Sequence, residues 1–248
     1  MNQIIGAVPT KFYADLLFDS SSKFQLQMSA SGEKLIANLK NRGLVFRIFD
    51  GVKFHEISTS FSDLELLEKK VNHLVNNLEF ESEINLIEKD PIHLDTVVKP
   101  EKFQDFTAIS LETKRERIQS LYNLMQESDP SVINPEITYF DMIMERIFVN
   151  TEGSTLRQKI PRIGITLKPM VKVENKIDYD KLTLHGERGF ELLDSITPEK
   201  IDSLVDSSKT LATAPLAPTG VFPVILESSI SGALAHAIFG HGVQADQI

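Results

Sequence analysis

Cysteine is absent from the 248 residues of this chain, and its absence removes three kinds of chemistry. Without a thiol, these residues form no disulfide, perform no thiolate catalysis and offer no cysteine ligand to a metal. A chain of this length buries about 70% of the surface that its unfolded form exposes, so it needs no disulfide staples. We therefore expect one or two domains, each stabilised by an ordinary hydrophobic core.

Basic residues are few relative to acidic ones: 26 lysines and arginines stand against 35 aspartates and glutamates, a net charge of -9. A dedicated duplex-DNA binder needs a basic stripe that displaces counterions, so this composition argues against direct nucleic-acid binding. The densest basic cluster, Lys114, Arg115 and Arg117, lies beside Glu112 and Glu116. That mixture predicts a solvated helix face.

Long apolar segments are missing as well. No stretch approaches the roughly 18 apolar residues of a membrane span. The first ten residues lack the basic region and the long apolar stretch of a secretory signal. We therefore expect a cytoplasmic protein with no membrane partner.

The first segment with a clear period, residues 12 to 58, is predicted to form strands. Phe24, Leu26 and Met28 alternate with glutamines, a period of two that buries one face. The pair Asp50-Gly51 lies between two further strand segments and predicts a hairpin with a two-residue loop, because both turn positions need positive φ. This part of the chain is expected to be a β meander.

Two amphipathic helices are predicted after the meander. Apolar residues recur at spacings of three and four over residues 64 to 78, and Ser62 with a glutamate three residues later has the capping-box spacing. The second helix is expected from 111 to about 127, ending before Pro130 because proline forces the preceding residue out of the helical region. We place a domain boundary here, so that residues 1–130 form an N-terminal α+β domain.

The second half, residues 131–248, is predicted to be a β-rich domain that is incomplete. β-branched and aromatic residues favour strands at its start, and a threonine-proline pair is typical of a helix N-terminus. The expected elements are strands at 137–149, 154–160, 162–173 and 177–184, a helix opening at Thr197-Pro198, a short strand at 221–226 and a last helix at about 229–239. The predicted fold class is therefore α+β.

Two histidines, His236 and His241, lie five residues apart in the predicted last helix. Zinc binds imidazole nitrogens at about 2.0–2.1 Å, and the common zinc-protease motif places its histidines four residues apart on one helix face. Five residues place them about 140° apart around a regular helix, at about 100° per residue. Gly240 and Gly242 could let the helix unwind and turn His241 round. Spacing alone favours a structural role over a metal site.

The other four histidines predict no metal site. His55, His73 and His93 are interpreted as ordinary surface or hydrogen-bonded histidines. His185 lies in the glycine-bracketed segment 184–190, which is interpreted as a structural turn with a functional loop as the alternative.

The sequence around the histidine pair resembles the signature block of the TldD/PmbA family, which was first named for modulation of DNA gyrase. Weaker similarities occur upstream in the same order, at Asp50-Gly51, 148–153 and 186–191. The specific pieces are Ala214-Pro215-Leu216-Ala217-Pro218-Thr219-Gly220, Phe222-Pro223-Val224-Ile225-Leu226, Gly232-Ala233-Leu234-Ala235-His236, Gly240-His241-Gly242 and Ala245-Asp246.

The resemblance implies a cytoplasmic zinc metallopeptidase that cuts unfolded or unstructured polypeptides, often beside a related subunit that lacks the motif. It implies that His236 and His241 bind zinc and that Ala237 occupies the position of the glutamate that activates water. Alanine can neither accept nor return a proton, so hydrolysis is expected to be absent or strongly impaired. The family's third ligand, typically a cysteine from a downstream domain, has no counterpart in these residues.

Two main hypotheses remain open. In the first, the chain is the N-terminal portion of a TldD-like zinc metallopeptidase, incomplete and inactive. In the second, it is a non-catalytic subunit that binds an extended peptide as an added strand at a sheet edge. Unpaired strand edges also predict a homo- or hetero-oligomer with a related subunit. A plain structural domain with an accidental histidine pair is the third alternative.

Overall fold

The computed structural model describes residues 1–60, 64–79, 91–97 and 103–244. Residues 1–213 form one compact unit and residues 214–248 a second. The predicted α+β class is confirmed, because a large, mainly antiparallel sheet is combined with several helices. Within the described ranges, no helix is long and apolar enough to cross a membrane.

One sheet organises the first unit. Its path is β3-β2-β1-β5-β6-β4, and β7 and β8 also pair with β6. The pairs are antiparallel except for β4 and β6, which run parallel. The strands are β1 (Tyr13–Ser29), β2 (Gly32–Phe49), β3 (Phe54–Ser60), β4 (His93–Val97), β5 (Val132–Asn150), β6 (Thr155–Val173), β7 (Lys176–Asp178) and β8 (Leu182–Gly186).

The sheet joins strands from both sides of residue 130, where the sequence predicted a domain boundary. β1 pairs with β5 along most of its length, from Asp15 opposite Asn150 to Met28 opposite Ile137. Strands from both sides of residue 130 share the first compact unit, and the division between the two units follows Thr213.

The predicted hairpin at Asp50-Gly51 forms, but its loop is longer than expected. Phe49 pairs with Phe54, which leaves a four-residue connection. Gly51 takes a positive φ of 100° and Asp50 does not. The Asp50 carboxylate instead accepts hydrogen bonds from the backbone N–H groups of Val52 and Lys53, both at 2.8 Å. The aspartate thus stabilises the turn through its side chain.

The strands predicted at 154–160 and 162–173 are one continuous strand, β6, that contains Pro161 and Pro169. The outer edge of β6 pairs with β4 up to Lys159 and with β8 from Ile163 to Leu167. Each proline lies in a gap of that outer edge, so its missing N–H interrupts no ladder there. The single strand predicted at 177–184 is, by contrast, divided into two short strands, β7 and β8.

The predicted helices are present with small shifts at their ends. They are α2 (Leu64–Asn77), α3 (Leu111–Ser128), α4 (Pro198–Thr213) and α5 (Ser228–Ala235), preceded by an unpredicted short helix, α1 (Asn2–Gly6). The N-cap of α3 is Ser110, whose Oγ accepts a hydrogen bond from the Thr113 N–H at 3.0 Å. The capping box assigned to Ser62 lies outside the described residues. The short strand predicted at 221–226 is wrong, because these residues adopt no strand and are exposed.

Two hydrophobic clusters pack against the sheet. One includes Leu16 and Phe46 from the sheet and Leu67 from α2. The other includes Tyr139 from β5 together with residues of α3 and α4, such as Met125. The Tyr139 ring belongs to the second cluster, and the Tyr139 hydroxyl donates a hydrogen bond to Asp141.

Candidate metal centre

The segment that carries the two histidines is helical but not uniformly α-helical. The α5 helix continues directly into a π turn over His236–Gly240 and then a short 3-10 turn over His241–Val243. The helix predicted at 229–239 is therefore present, and its second half is wound more widely than an α-helix.

The π turn determines the relative position of the two histidine rings. The His241 N–H donates a hydrogen bond to the His236 carbonyl oxygen, five residues back. An i to i+5 bond brings residue i+5 over residue i, whereas an α-helix does this for residue i+4. The two imidazole ring centroids consequently lie 4.8 Å apart, with their planes at 67°. The five-residue spacing, awkward for an α-helix, suits this turn.

Gly240 does not act as the sequence analysis expected. Its φ of -58° and ψ of -48° are ordinary right-handed helical values. A Cβ added at this position would lie 3.5 Å from His236 Nδ1, an ordinary van der Waals contact. The rings are brought together by the extra residue in the turn, and no unwinding at glycine is involved.

The ring nitrogens are available for a ligand. His241 Nδ1 lies 3.2 Å from Gln244 Oε1, an oxygen that can only accept a hydrogen bond. This contact favours the tautomer with the proton on Nδ1, which leaves Nε2 free to bind a metal. Both histidines are exposed. Two nitrogen ligands of a tetrahedral zinc ion lie about 3.3 Å apart, a distance compatible with rings this close.

A complete metal site is not formed by the described residues. Among them, no group of three or more histidine, cysteine, aspartate or glutamate side chains is arranged to hold a metal ion. The two imidazoles fit two positions of a tetrahedral zinc site. Ala237, between them in sequence, carries a methyl group that can transfer no proton.

Other histidines lie elsewhere in the first unit. His55 Nε2 contacts Asp50 Oδ2 at 2.6 Å, and His73 Nδ1 lies 3.4 Å from Asn77 Nδ2, so both are hydrogen-bonded, as interpreted. Hydrogen bonds from the Lys53 N–H and from His55 hold the pKa of Asp50 below its usual value. His185 belongs to strand β8 and is exposed, so the interpretation as a turn residue is wrong.

A buried ionic group in the first unit was missed by the sequence analysis. Lys114, predicted to be solvated, is 5% exposed. Its Nζ donates to Asp141 Oδ2 at 2.5 Å, and the Tyr139 hydroxyl donates to the same oxygen at 2.7 Å. Burial raises the pKa of Asp141, against the opposing effect of these two hydrogen bonds. Burial and the nearby Asp141 charge raise the pKa of Tyr139.

The sequence did contain a signal for this group. Lys114 precedes Ile118, Leu121 and Met125 at spacings of four, three and four, which is the buried stripe of α3. Asp141 follows Tyr139 on the same alternating face of β5. By contrast, the neighbouring Arg115 and Arg117 stay partly exposed. Arg115 pairs with Glu33 and Glu112, and Arg117 donates to the Leu193 carbonyl.

Comparison with known proteins gives the class of this fold. The chain superposes on a candidate modulator of DNA gyrase from Thermotoga maritima with a TM-score of 0.63 at 13% identity, covering 84% of this chain and 46% of that one. For a similar protein from Bacteroides thetaiotaomicron the TM-score is 0.61 at 15% identity, with 79% and 45% covered. TldE from Thermococcus kodakarensis gives 0.55 at 11% identity, with 79% and 44% covered. The fold is that of these proteins.

Sequence comparison agrees with the fold. The family model of the PmbA/TldA metallopeptidase central domain matches residues 104–212. A metalloprotease of Methanocaldococcus jannaschii is 24% identical over 197 residues, which are 79% of this chain and 38% of that protein. A metalloprotease of Methanothermobacter thermautotrophicus is 25% identical over 136 residues, 54% of this chain and 30% of that protein. Residues 104–212 thus resemble the central domain of the PmbA/TldA metallopeptidases, and the chain spans less than half the length of these relatives.

Proposed function

We propose that this chain is the N-terminal portion of a TldD-like zinc metallopeptidase, a cytoplasmic protein that acts on unfolded or unstructured polypeptides. The observation that carries the proposal is the π turn, which holds the rings of His236 and His241 4.8 Å apart. The metalloprotease names of the relatives support the same class of chemistry.

The residues of the turn have separate roles in this proposal. His236 and His241 each supply one imidazole nitrogen to zinc, and Gln244 orients the His241 ring through the contact at Nδ1. Zinc, when bound, lowers the pKa of a coordinated water to about 7 and polarises a carbonyl group. Ala237 stands where a proton acceptor is required, so we propose that hydrolysis by this chain is absent or strongly impaired.

A non-catalytic, peptide-binding subunit is the alternative function. Ala237 favours it, because loss of the base removes turnover while leaving the rest of the molecule able to bind. The β3 strand also favours it: β3 ends the path of the sheet and, within the described residues, pairs only with β2. An extended peptide can add to such an edge through main-chain hydrogen bonds. In either role, we propose assembly with a second copy or a related subunit.

Zinc titration of the purified chain by isothermal calorimetry tests the proposal. We expect saturable zinc binding that is lost in His236→Ala and in His241→Ala. His185→Ala is the matched control, since His185 is an exposed histidine on β8 of the first unit, and it should bind zinc like the unmodified chain. Equal binding by all four proteins would contradict the assignment. Metal-independent binding of an unfolded peptide, with no zinc bound, would favour the alternative.

A further inference from the structure

A half-enclosed cleft of about 320 Å³ lies beside the first turn of α3. Phe24, Phe106 and Ile143 are among its apolar lining residues, and Lys23, Lys114 and Asp141 are among its polar ones. Small-molecule sites are clefts of about 300–1,000 Å³, mainly apolar, with a few well-placed polar groups. This cleft is at the small end of that range, and its lining is polar and apolar in nearly equal parts.

Lys114 is the polar group best placed to meet a ligand. An ammonium group donates three hydrogen bonds, and the described bond to Asp141 uses one of them. The Nζ atom lies 4.5 Å from the Phe24 ring centroid and 5.9 Å from that of Phe106. The side chain is thus fixed by the core and two aromatic rings, and Lys114 is one of the residues that line the cleft.

The charged residues that line the cleft have a positive excess, which favours an anion. Among the charged residues that line it, Lys23 and Lys114 carry two positive charges and Asp141 one negative charge. The first turn of the 18-residue α3 adds a partial positive charge. Asp105 acts on Asp141 through its charge, but its Oδ1 already accepts hydrogen bonds from the Thr107 N–H and hydroxyl.

We propose that this cleft binds a carboxylate attached to a small apolar body, either a free organic acid or the C-terminal residue of a peptide. The carboxylate pairs with Lys114, and the apolar body packs against Phe24, Phe106 and Ile143. A volume of about 320 Å³ is large enough for a body the size of one large amino-acid side chain. Every residue of this site belongs to the first unit, so the site does not depend on the histidine pair.

Calorimetric titration with 3-phenylpropionate and with the neutral 3-phenylpropanamide tests the proposal. The two probes share an apolar body and differ in the charged group. We expect the acid to bind at least about tenfold more tightly, because charge-assisted hydrogen bonds to lysine are the stronger kind. Equal affinity for both probes, or no binding of the acid at millimolar concentration, would overturn the proposal.

A peptide ending in phenylalanine, tested with a free and with an amidated C-terminus, separates the two sources of the carboxylate. Preference for the free terminus assigns the cleft to peptide ends. Binding of 3-phenylpropionate without binding of the peptide assigns it to free acids.

Two variants and one control locate the binding. Lys114→Met should weaken binding of 3-phenylpropionate by about tenfold or more. Ser22→Trp, at an exposed lining position, should obstruct the cleft and weaken binding of the acid to a similar extent. This variant tests the site even if Lys114→Met does not fold. Lys209→Met, on α4, removes an ion pair with Asp129 and should bind the acid normally. Unchanged binding in Ser22→Trp would place the ligand elsewhere and refute the site.

Discussion

The Lys114 group of the first unit and the histidine pair of the second are built in opposite ways. Lys114 and Asp141 come from a helix and a strand, are each about 5% exposed, and are held by the core around them. His236 and His241 are exposed, and a single local turn sets their separation. Tertiary packing thus defines the first group, whereas backbone winding defines the second.

This difference has a consequence for what each group can do alone. The buried group is fixed before any ligand arrives, so its charges are arranged at no further entropic expense. The histidine pair supplies two ligands, and zinc sites use three or four protein ligands. We therefore expect the first group to tolerate change badly and the second to tolerate it well, except in metal binding.

The largest expected effect is on stability at the buried group. Lys114→Met leaves Asp141 as an unpaired buried charge, and we expect it to lower the free energy of unfolding by about 3–5 kcal/mol. The double variant Lys114→Met/Asp141→Leu should recover most of that loss, since it removes the unpaired charge. Urea denaturation measures both, and His236→Ala, at an exposed position, should change the value by less than about 0.5 kcal/mol. A comparable loss of unfolding free energy in His236→Ala would contradict the expected difference between the buried group and the exposed histidines.

A second effect concerns zinc binding at the turn. Gln244→Ala removes the contact that orients the His241 ring, and we expect the zinc dissociation constant to rise by about tenfold. Stability should not change, because the contact is exposed. Calorimetric titration measures the constant. An affinity equal to that of the unmodified chain would show that Gln244 does not support the ligand.

A partly exposed ion pair in the first unit, Lys209 with Asp129, allows a comparison with the buried one. Hydrogen bonds from Lys209 and Ser131 lower the pKa of Asp129 from 3.8 to about 2. A carboxylate whose pKa is lower in the folded state stabilises the fold above pH 3.8 and loses that contribution as the pH falls towards 2. Asp129→Asn should therefore lower the free energy of unfolding near neutral pH. This loss should be smaller than the loss caused by Lys114→Met.

That difference should shrink as the pH is lowered through this window, as followed by urea denaturation at several pH values. A difference that stays constant down to pH 2 would contradict the assigned pKa.

The smallest expected effect is that of Gly240→Ala. Gly240 has helical dihedral angles and space for a methyl group, so zinc affinity and helix content should be nearly unchanged. Circular dichroism and zinc titration check this. Loss of zinc binding would restore the expectation that glycine's conformational freedom brings the rings together.

Much of the fold was predictable from the sequence because its signals are local. The stripe of Leu67 and Val71 predicted α2, and the alternation around Leu26 predicted β1. The pairing of β1 with β5 was not predictable, because it joins residues more than a hundred positions apart along the chain. Segment 221–226 was predicted as a strand on apolar composition, yet strands also need partners.

The candidate site was predictable in its residues but not in its geometry. The motif pointed to His236 and His241, whereas the i to i+5 hydrogen bond that brings them together has no clear sequence signal. Lys114 was misjudged for a different reason. Its charged neighbours outweighed its place in the buried stripe of α3, and its partner Asp141 lies on a strand that sequence spacing does not connect to it.

X-ray absorption at the zinc edge tests the central claim most directly. For the chain loaded with one equivalent of zinc, we expect scattering from two imidazole rings at about 2.0–2.1 Å, with oxygen ligands completing the shell. His236→Ala should lose one of the two imidazole contributions, and His185→Ala should keep both. A spectrum without imidazole scattering, or one that His236→Ala leaves unchanged, would contradict the assignment of the histidine pair as a metal site.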